Sequence, residues 1–373
     1  MKEVMNINTS RINQRIDNLR ILMTDKNLDA FVLIVNERAN SESCHYISGF
    51  RGSSAALIIT MNSSTLITDG RYTTQAKAQT PFTVIIQSEL SLPAYIAKAI
   101  SDSEYVRVGY EAEKISHATF TKHFAPAKAE WVDASDFIPK LRRTKDAEEI
   151  ALIRKAAKIG REAYGKALGQ VHEGMTEIEF DSLLMSEIKA LGAEKGWAHD
   201  DFIVASGTRS AMCHAPATGK AFAHGETVTV DYGAMYEGYM SDITRNFALG
   251  LIDDRAREIN AVLLRAHHEA VKALRPGAAG VEVDGIARKV ISDAGYGEYF
   301  LHGLGHGLGL EVHEAPRLSR TSRDILQAGD VVTIEPGIYI EGWGGLRIED
   351  DYLITEDGSE CLTINDNQSI EII

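Results

Sequence analysis

Four carboxylates in the second part of the sequence stand where a carboxylate is out of place. Asp231 interrupts the strand-like run TVTVDYGA, and Glu335 interrupts VVTIEPGIYI. Asp is a poor strand residue, and an unpaired buried carboxylate is costly. Period-two alternation puts Thr229, Asp231 and Gly233 on one face of their strand. Each acid is followed by a second in a strand-like setting, Asp242 in MSDITRNF and Glu349 in LRIEDDYL, and between the two pairs lies FLHGLGHGLGLEVHEAP with His302, His306 and His313. If these segments pack face to face, four acids converge, and only metal cations or a cluster of basic side chains can hold such charge together. One histidine with four carboxylates, two of them bridging, is a hard-to-borderline donor set suited to two divalent ions of the Mn, Co, Fe or Zn kind. No thiolate belongs to it, so a structural zinc knot is not expected. Singly, a histidine in a glycine-rich turn or an aspartate in a strand is more often structural. The ordered set Asp, Asp, His, Glu, Glu is what points to chemistry. The glycines around the histidines are expected to leave room for a ligand beside the chain.

The elements that must position these residues occur twice. VHEGMTEIEFDSLLMSEIKALG, starting at residue 171, lies over LRPGAAGVEVDGIARKVISDAG, starting at residue 274, with Gly174 on Gly277, Glu179 on Glu282, Asp181 on Asp284, Ile188 on Ile291 and Gly192 on Gly295. Each copy follows a long amphipathic stretch, Asp146 to Val171 and Arg255 to Leu274, and the first opens on Asp146 and Glu149 in capping-box spacing. GETVTVDYG then lies over GDVVTIEPG at an offset one residue longer, with acid on acid at two positions. Either match alone is within reach of coincidence, but two in the same order at nearly equal offsets favour an internal duplication. The expected product is a pseudo-twofold α+β domain whose halves each offer a strand with a carboxylate. Upstream, Asp29 to Val35, Ala55 to Thr60, Thr65 to Asp69, Thr83 to Gln87 and Val106 to Tyr110 read as strands, and Ile12 to Lys26 and Leu92 to Ser101 as helices. This predicts a small α/β domain over residues 1–142 ahead of a catalytic domain over 143–373.

The 373 residues, 44% hydrophobic and 25% charged with 31 Gly and 8 Pro, describe a folded chain of two or possibly three domains. Apolar runs such as Ala30 to Val35 fall far short of the roughly 20 residues that span a bilayer, and the amino end lacks the apolar core of a secretory signal. No membrane partner is expected, and the cytoplasm is the expected compartment. Cys44, Cys213 and Cys361, three and far apart, suit a reducing environment. A net charge of -14 disfavours nucleic acid.

The motifs VDYGAMYEGYMSDITR, HGLGHGLGLEVHE, TIEPGIY and GLRIEDD resemble those of the pita-bread metallopeptidases, among them Xaa-Pro aminopeptidase, Xaa-Pro dipeptidase (prolidase) and methionine aminopeptidase. GFRGSSAALI and ITDGRY resemble the creatinase-like amino-terminal domain of Xaa-Pro aminopeptidases, which methionine aminopeptidases generally lack. The resemblance implies a pita-bread catalytic domain and two divalent metal ions, manganese being expected, with cobalt, zinc or iron as alternatives. Asp231, Asp242, His306, Glu335 and Glu349 would be the ligands. Asp242 and Glu349 would bridge, Asp231 would complete one ion, and His306 with Glu335 the other. It further implies outer-shell roles for His214, His302 and His313, and a proton-transfer role for Glu335. Arg347 would orient Asp231, the alternative being a plain surface ion pair.

In the mechanism so implied, two metals lower the pKa of a shared water, and the resulting hydroxide attacks the carbonyl of a bond to proline. His313 or His302 would stabilise the oxyanion with a metal, and one of them would protonate the departing nitrogen. Proline-containing peptides are the expected partners and a homodimer the expected assembly, the latter from the resemblance alone. Removal of the residue ahead of a proline is the leading activity, and dipeptide cleavage the runner-up. A metal-free C–N hydrolase of the creatine amidinohydrolase kind and a non-catalytic peptide binder are the readings from other classes, both disfavoured because all five ligand positions hold competent donors. One departure concerns His214: Cys213 precedes it where the family commonly has a proline, and no thiol-activating dyad accompanies that cysteine. Arg51 and Arg71 are expected at a surface or domain interface as much as at a site. His267 and His268 read as solvated, and Trp197, Tyr232 and Trp343 as core residues or walls of an apolar pocket.

Overall fold

The computed structural model describes residues 8–37, 39–197, 202–363 and 368–373. The chain divides into two compact units, Met1–Arg142 and Arg143–Ile373.

The first unit is a six-stranded sheet flanked by helices. Its strands are β1 (Ala30–Asn36), β2 (Ser54–Thr60), β3 (Ser64–Thr68), β4 (Thr83–Ile86), β5 (Arg107–Tyr110) and β6 (Glu130–Asp133), in the order β4-β3-β2-β1-β5-β6. Only β2 runs against its neighbours; β3 with β4, β1 with β5 and β5 with β6 are parallel. β1 is AFVLIVN, buried over its first six residues, as expected of a central strand covered on both faces. Helix Thr9–Asp25 buries Ile12, Ile16, Leu19 and Met23, a single helical stripe.

The second unit contains the repeat. Helix Ala147–Leu168 opens on the capping box, Asp146 accepting from the Glu149 N–H and Glu149 from the Asp146 N–H. The following helix, Glu177–Ala190, has its counterpart in Gly280–Asp293, displaced by 103 positions at both ends. Gly174 and Gly277, which precede those helices, share a φ of 85°. In the first half, β7 (Ile203–Ser206), β8 (Thr227–Tyr232), β11 (Ile243–Ala248) and β19 (Glu371–Ile372) form a sheet in the order β19-β11-β8-β7, beside the small hairpin β9 (Met235–Tyr236) and β10 (Tyr239–Met240). In the second half, β12 (Gly305–Gly307), β13 (Glu314–Leu318), β14 (Val331–Ile334), β17 (Asp350–Ile354) and β18 (Ser359–Cys361) form a sheet in the order β13-β12-β14-β17-β18, beside the hairpin β15 (Gly337–Ile340) and β16 (Gly344–Arg347). Each half has its own core. The first is aromatic, with Tyr164 stacked on Tyr232 and Phe180 against Phe247; the second is mainly aliphatic, around Ile259, Leu263, Val283 and Ile334.

Two local devices aim the strands. Between β9 and β10 the chain reverses through Glu237 and Gly238, both at positive φ (48° and 86°), the two-residue turn whose twist suits a hairpin. The returning chain pairs Thr244 of β11 with Asp231 of β8. Around His306 the glycines answer a different need from the one read in the sequence. A Cβ on Gly305 would lie 2.0 Å from the Thr333 carbonyl, and one on Gly307 2.2 Å from the Ala315 carbonyl. The space beside the chain is filled by neighbouring backbone, and the glycines let β12 press between β13 and β14.

His267 also departs from the sequence reading: it is wholly buried, whereas His268 is exposed. Helix Asp254–Val271 turns Ile259, Leu263, Ala266 and Ala270 inward, and that spacing carries His267 with them. Tyr232 is core, and Trp197 and Trp343 pack against the two cores from partly buried positions. Arg71 pairs with Asp69 at the surface.

Candidate metal centre

Asp231 lies near the end of β8, Asp242 just before β11, His306 in the middle of β12, Glu335 just after β14, and Glu349 between β16 and β17. The halves meet where Thr244 of β11 bridges to Glu349, placing acids of different halves side by side. Ligand atoms of Asp242, His306 and Glu349 all lie within 4.8 Å of one another. His306 Nε2 is 3.3 Å from Glu335 Oε1 and 3.7 Å from Asp242 Oδ2. Asp231 is joined from the other side by Arg347, whose Nη2 donates to its Oδ2. Asp231, Asp242, His306 and Glu349 are buried, and Glu335 is more open.

Burial, then the charge of its neighbours Glu349 and Asp231, pushes the Asp242 carboxyl well above the usual range. Burial and the charge of Glu349 do the same to Glu335. Burial and Asp231 push Glu349 up to about 8. His306 goes the opposite way, to about 3, chiefly through burial and then through the neighbouring His313. The directions of the three carboxyls are those of a cluster short of positive charge, and that of His306 keeps its ring neutral.

The donor set fits divalent cations, and hydrogen bonding tests that fit. Nδ1 of His306 lies 3.1 Å from the Gly307 carbonyl, which accepts only, so the ring proton is on Nδ1 and the lone pair on Nε2. That lone pair faces the oxygens of Glu335 and Asp242. Acceptor facing acceptor at 3.3 Å is repulsive unless a proton or a cation lies between them. Oδ1 of Asp231 and Oδ1 of Asp242 are, moreover, buried without a hydrogen-bond partner among the described residues. Buried polar atoms are nearly always satisfied, and orphans of this kind mark groups that serve something other than the protein's own hydrogen bonding.

The surrounding shell holds the acids in place. Thr244 Oγ1 donates to Glu349 Oε2 at 2.6 Å, and the Asp242 N–H donates to Asp351 at 3.0 Å. Arg347, 2% exposed and therefore no surface residue, donates to Thr244 Oγ1 (3.0 Å), the Cys213 carbonyl (3.1 Å), the Tyr339 hydroxyl (2.8 Å) and Asp231. Having accepted from Arg347, Tyr339 donates onward to His302 Nε2 at 3.0 Å, while His302 Nδ1 donates to the Gly303 carbonyl at 2.8 Å. Burial first, and Arg347 second, lower His302 to about 4. His214 and His313 are exposed, and the His313 ring lies 4.4 Å from that of His306. Thr244, Tyr339 and Asp351 were not singled out from the sequence. Thr244 had a signal, since it stands two residues after Asp242, on the same strand face.

The model of metallopeptidase family M24 matches residues 151–356, more than half of the chain, and that of the creatinase/prolidase N-terminal domain matches 15–144. The chain belongs to metallopeptidase family M24. Its fold is the pita-bread fold behind a creatinase-type domain, as the sequence motifs implied. A Xaa-Pro dipeptidase of Pyrococcus furiosus is 45% identical over 234 residues, 63% of this chain and 67% of that protein. Among solved structures, a Xaa-Pro dipeptidase from Bacillus anthracis superposes with a TM-score of 0.90 at 35% identity, covering 97% of this chain and 100% of that one. An X-Pro aminopeptidase from Thermotoga maritima MSB8 superposes with a TM-score of 0.88 at 37% identity, covering 96% and 100%. No helix among the described residues is long and apolar enough to cross a membrane.

Proposed function

We propose that this metallopeptidase hydrolyses the bond between an amino-terminal residue and a following proline, with Xaa-Pro dipeptides as its preferred substrates. Asp231, Asp242, His306, Glu335 and Glu349 are the proposed ligands of two divalent ions, manganese first among the candidates. The observation that carries the reading is the lone pair of His306 Nε2 aimed at two acidic side chains of a crowded, buried set. When bound, such ions make a water nucleophilic near neutral pH and draw charge from the scissile carbonyl. Glu335, the most open of the acids, would hold one of these ions and accept a proton at a carboxylate oxygen during the reaction. Arg347 fixes Asp231 and, through Tyr339, the tautomer of His302.

His313, exposed and with its ring 4.4 Å from that of His306, is the proposed donor to the developing oxyanion. A prolyl nitrogen has no N–H in the peptide and leaves as a secondary amine, so it needs a proton as the bond breaks. A donor at His313 or His214 meets that need.

The dipeptide preference is supported by relatives that bear the name Xaa-Pro dipeptidase, at 45% identity in one case and a TM-score of 0.90 in another. Removal of the first residue from longer peptides is the second reading, favoured by the likeness to the Thermotoga enzyme. Hydrolysis rates for a Xaa-Pro dipeptide and for the same dipeptide extended by one residue decide between them. Faster turnover of the extended peptide would overturn the dipeptide preference, and no turnover of either with Mn, Co or Zn supplied would overturn the hydrolase reading.

A further inference from the structure

The segment from Ser206 to Thr218 leaves β7, carries Cys213 and His214, and returns to the start of helix Glu177–Ala190. Both of its ends close on one carboxylate. Glu177, the first residue of that helix, has 0% exposure, and its two oxygens accept five hydrogen bonds. Oε1 accepts from the Ser206 N–H (2.9 Å) and hydroxyl (2.8 Å). Oε2 accepts from the Thr218 N–H (3.0 Å), the Thr218 hydroxyl (2.7 Å) and Arg209 Nη1. Arg209 also donates to the Pro216 carbonyl at 2.9 Å, so its charge ties the beginning of the segment to its end. The middle is tied elsewhere: Ser210 Oγ accepts from the Gly345 N–H at 2.8 Å, and the Cys213 carbonyl accepts from Arg347 at 3.1 Å.

The helix itself does not need Glu177. Thr176 and Glu179 already form its capping box. The repeat does not need it either, for 103 positions on the corresponding helix begins at Gly280, where a Cβ would lie 2.3 Å from the Arg317 carbonyl. At this position the second half thus closes backbone on backbone, the Gly280 N–H donating to the Asp324 carbonyl at 2.9 Å, whereas the half that carries His214 places a buried carboxylate there. A buried carboxylate is tolerated only when fully hydrogen-bonded, and this one draws its donors from three points of a single loop.

We propose that Glu177 is the positioning residue of the His214 loop, ordering it before the peptide arrives and so setting how tightly substrate is held rather than how fast its bond breaks. A loop ordered in advance loses less conformational entropy on binding, and the gain appears in affinity. The proposal rests on the hydrolase reading and on His214 meeting the substrate.

Glu177→Gln keeps the size of the side chain but turns an amide N–H toward donors that now find an acceptor. The test uses the full chain loaded with manganese and compares wild type, Glu177→Gln, His214→Ala and the double variant. Its readouts are hydrogen–deuterium exchange over 206–218, manganese content, and KM and kcat on a Xaa-Pro peptide. For Glu177→Gln the expected result is loop exchange at least about tenfold faster, KM raised about tenfold, kcat within about threefold and manganese content unchanged. The double variant should be no worse in KM than His214→Ala alone. Unchanged loop exchange, a fall in kcat at constant KM, loss of manganese, or KM effects that multiply would each overturn the proposal. Should Glu177→Gln fail to fold, isosteric Thr218→Val removes one donor and is held to the same pattern at a KM shift of about two- to threefold. An inactive wild-type chain contradicts the hydrolase reading, whereas an active one whose KM does not move contradicts only the role of Glu177.

Discussion

Replacing Asp242 by Asn should stabilise the protein without metal and destabilise it with metal. Ligand atoms of Asp242 and Glu349 lie within 4.8 Å of each other. At an effective dielectric constant of about 20, two ionised carboxylates at that separation repel by about 3 kcal/mol. Asn removes the repulsion, and among the described residues Asp242 Oδ1 makes no hydrogen bond that Asn would forfeit. The backbone N–H bond to Asp351 survives the change. The sign depends on pH. Glu349 is pushed up to about 8 from an ordinary 4.5, so the native state holds its proton longer than the unfolded chain. The part of the metal-free protein's stability that Glu349 governs is therefore full below about 4.5 and is lost as pH rises through 8. At pH 8.5 wild type must either bear that repulsion or keep the Asp242 carboxyl protonated against its ordinary range, and the metal-free variant, which does neither, should exceed it by up to about 3 kcal/mol. With manganese at about 1,000 times its dissociation constant, each ion adds about 4 kcal/mol to wild type, and loss of a shared ligand removes much of that. The assay is urea unfolding at pH 8.5, in chelator and in manganese. A variant less stable than wild type by the same amount in both buffers would refute the electrostatic reasoning.

Three other changes probe separate parts of the account. Glu111, buried and accepting from Asn40, is pushed up to about 7 by burial from an ordinary 4.5, so stability is lost as pH rises from about 4.5 to about 7; Glu111→Gln should recover up to about 3 kcal/mol at pH 8 and nothing at pH 4, read by urea unfolding. Burial lowers His267 to about 4, so its native form resists protonation while the unfolded chain accepts a proton below about 6.5, and stability falls as pH drops through that window. His267→Leu should flatten this acid limb by up to about 3 kcal/mol, and an unchanged limb would contradict the burial argument. His313→Gln should lower kcat on a Xaa-Pro peptide about a hundredfold while manganese content stays the same, and equal loss of both would make His313 a ligand instead of a proton donor.

What could be read from the sequence was periodic or repeated. The helix at Glu177 announced its twin at Gly280 through spacing alone, and Asp231 and Glu335 stood out because a strand rarely carries an acid in its middle. What could not be read depends on contacts between distant segments. Tyr339 lies in a strand rich in apolar residues, and only the fold brings its hydroxyl between Arg347 and His302. Helix Ser41–Ser48, from SESCHYIS, has little intrinsic preference to be helical and follows Asn40 at a φ of 66°; burial of Cys44, Tyr46 and Ile47 decides its state. β6 is four residues with an acid at each end, too short to show a period. His267 was misread because a polar residue beside Arg and Glu on a helix can still fall on the inward stripe.

The central claim is that Asp231, Asp242, His306, Glu335 and Glu349 hold divalent cations. Elemental analysis of chelator-stripped protein, reloaded with manganese and dialysed, tests it most directly. Two ions retained per chain by wild type, and at most one by Glu349→Gln, is the predicted result. Retention of none by wild type, or of equal amounts by both proteins, would contradict it.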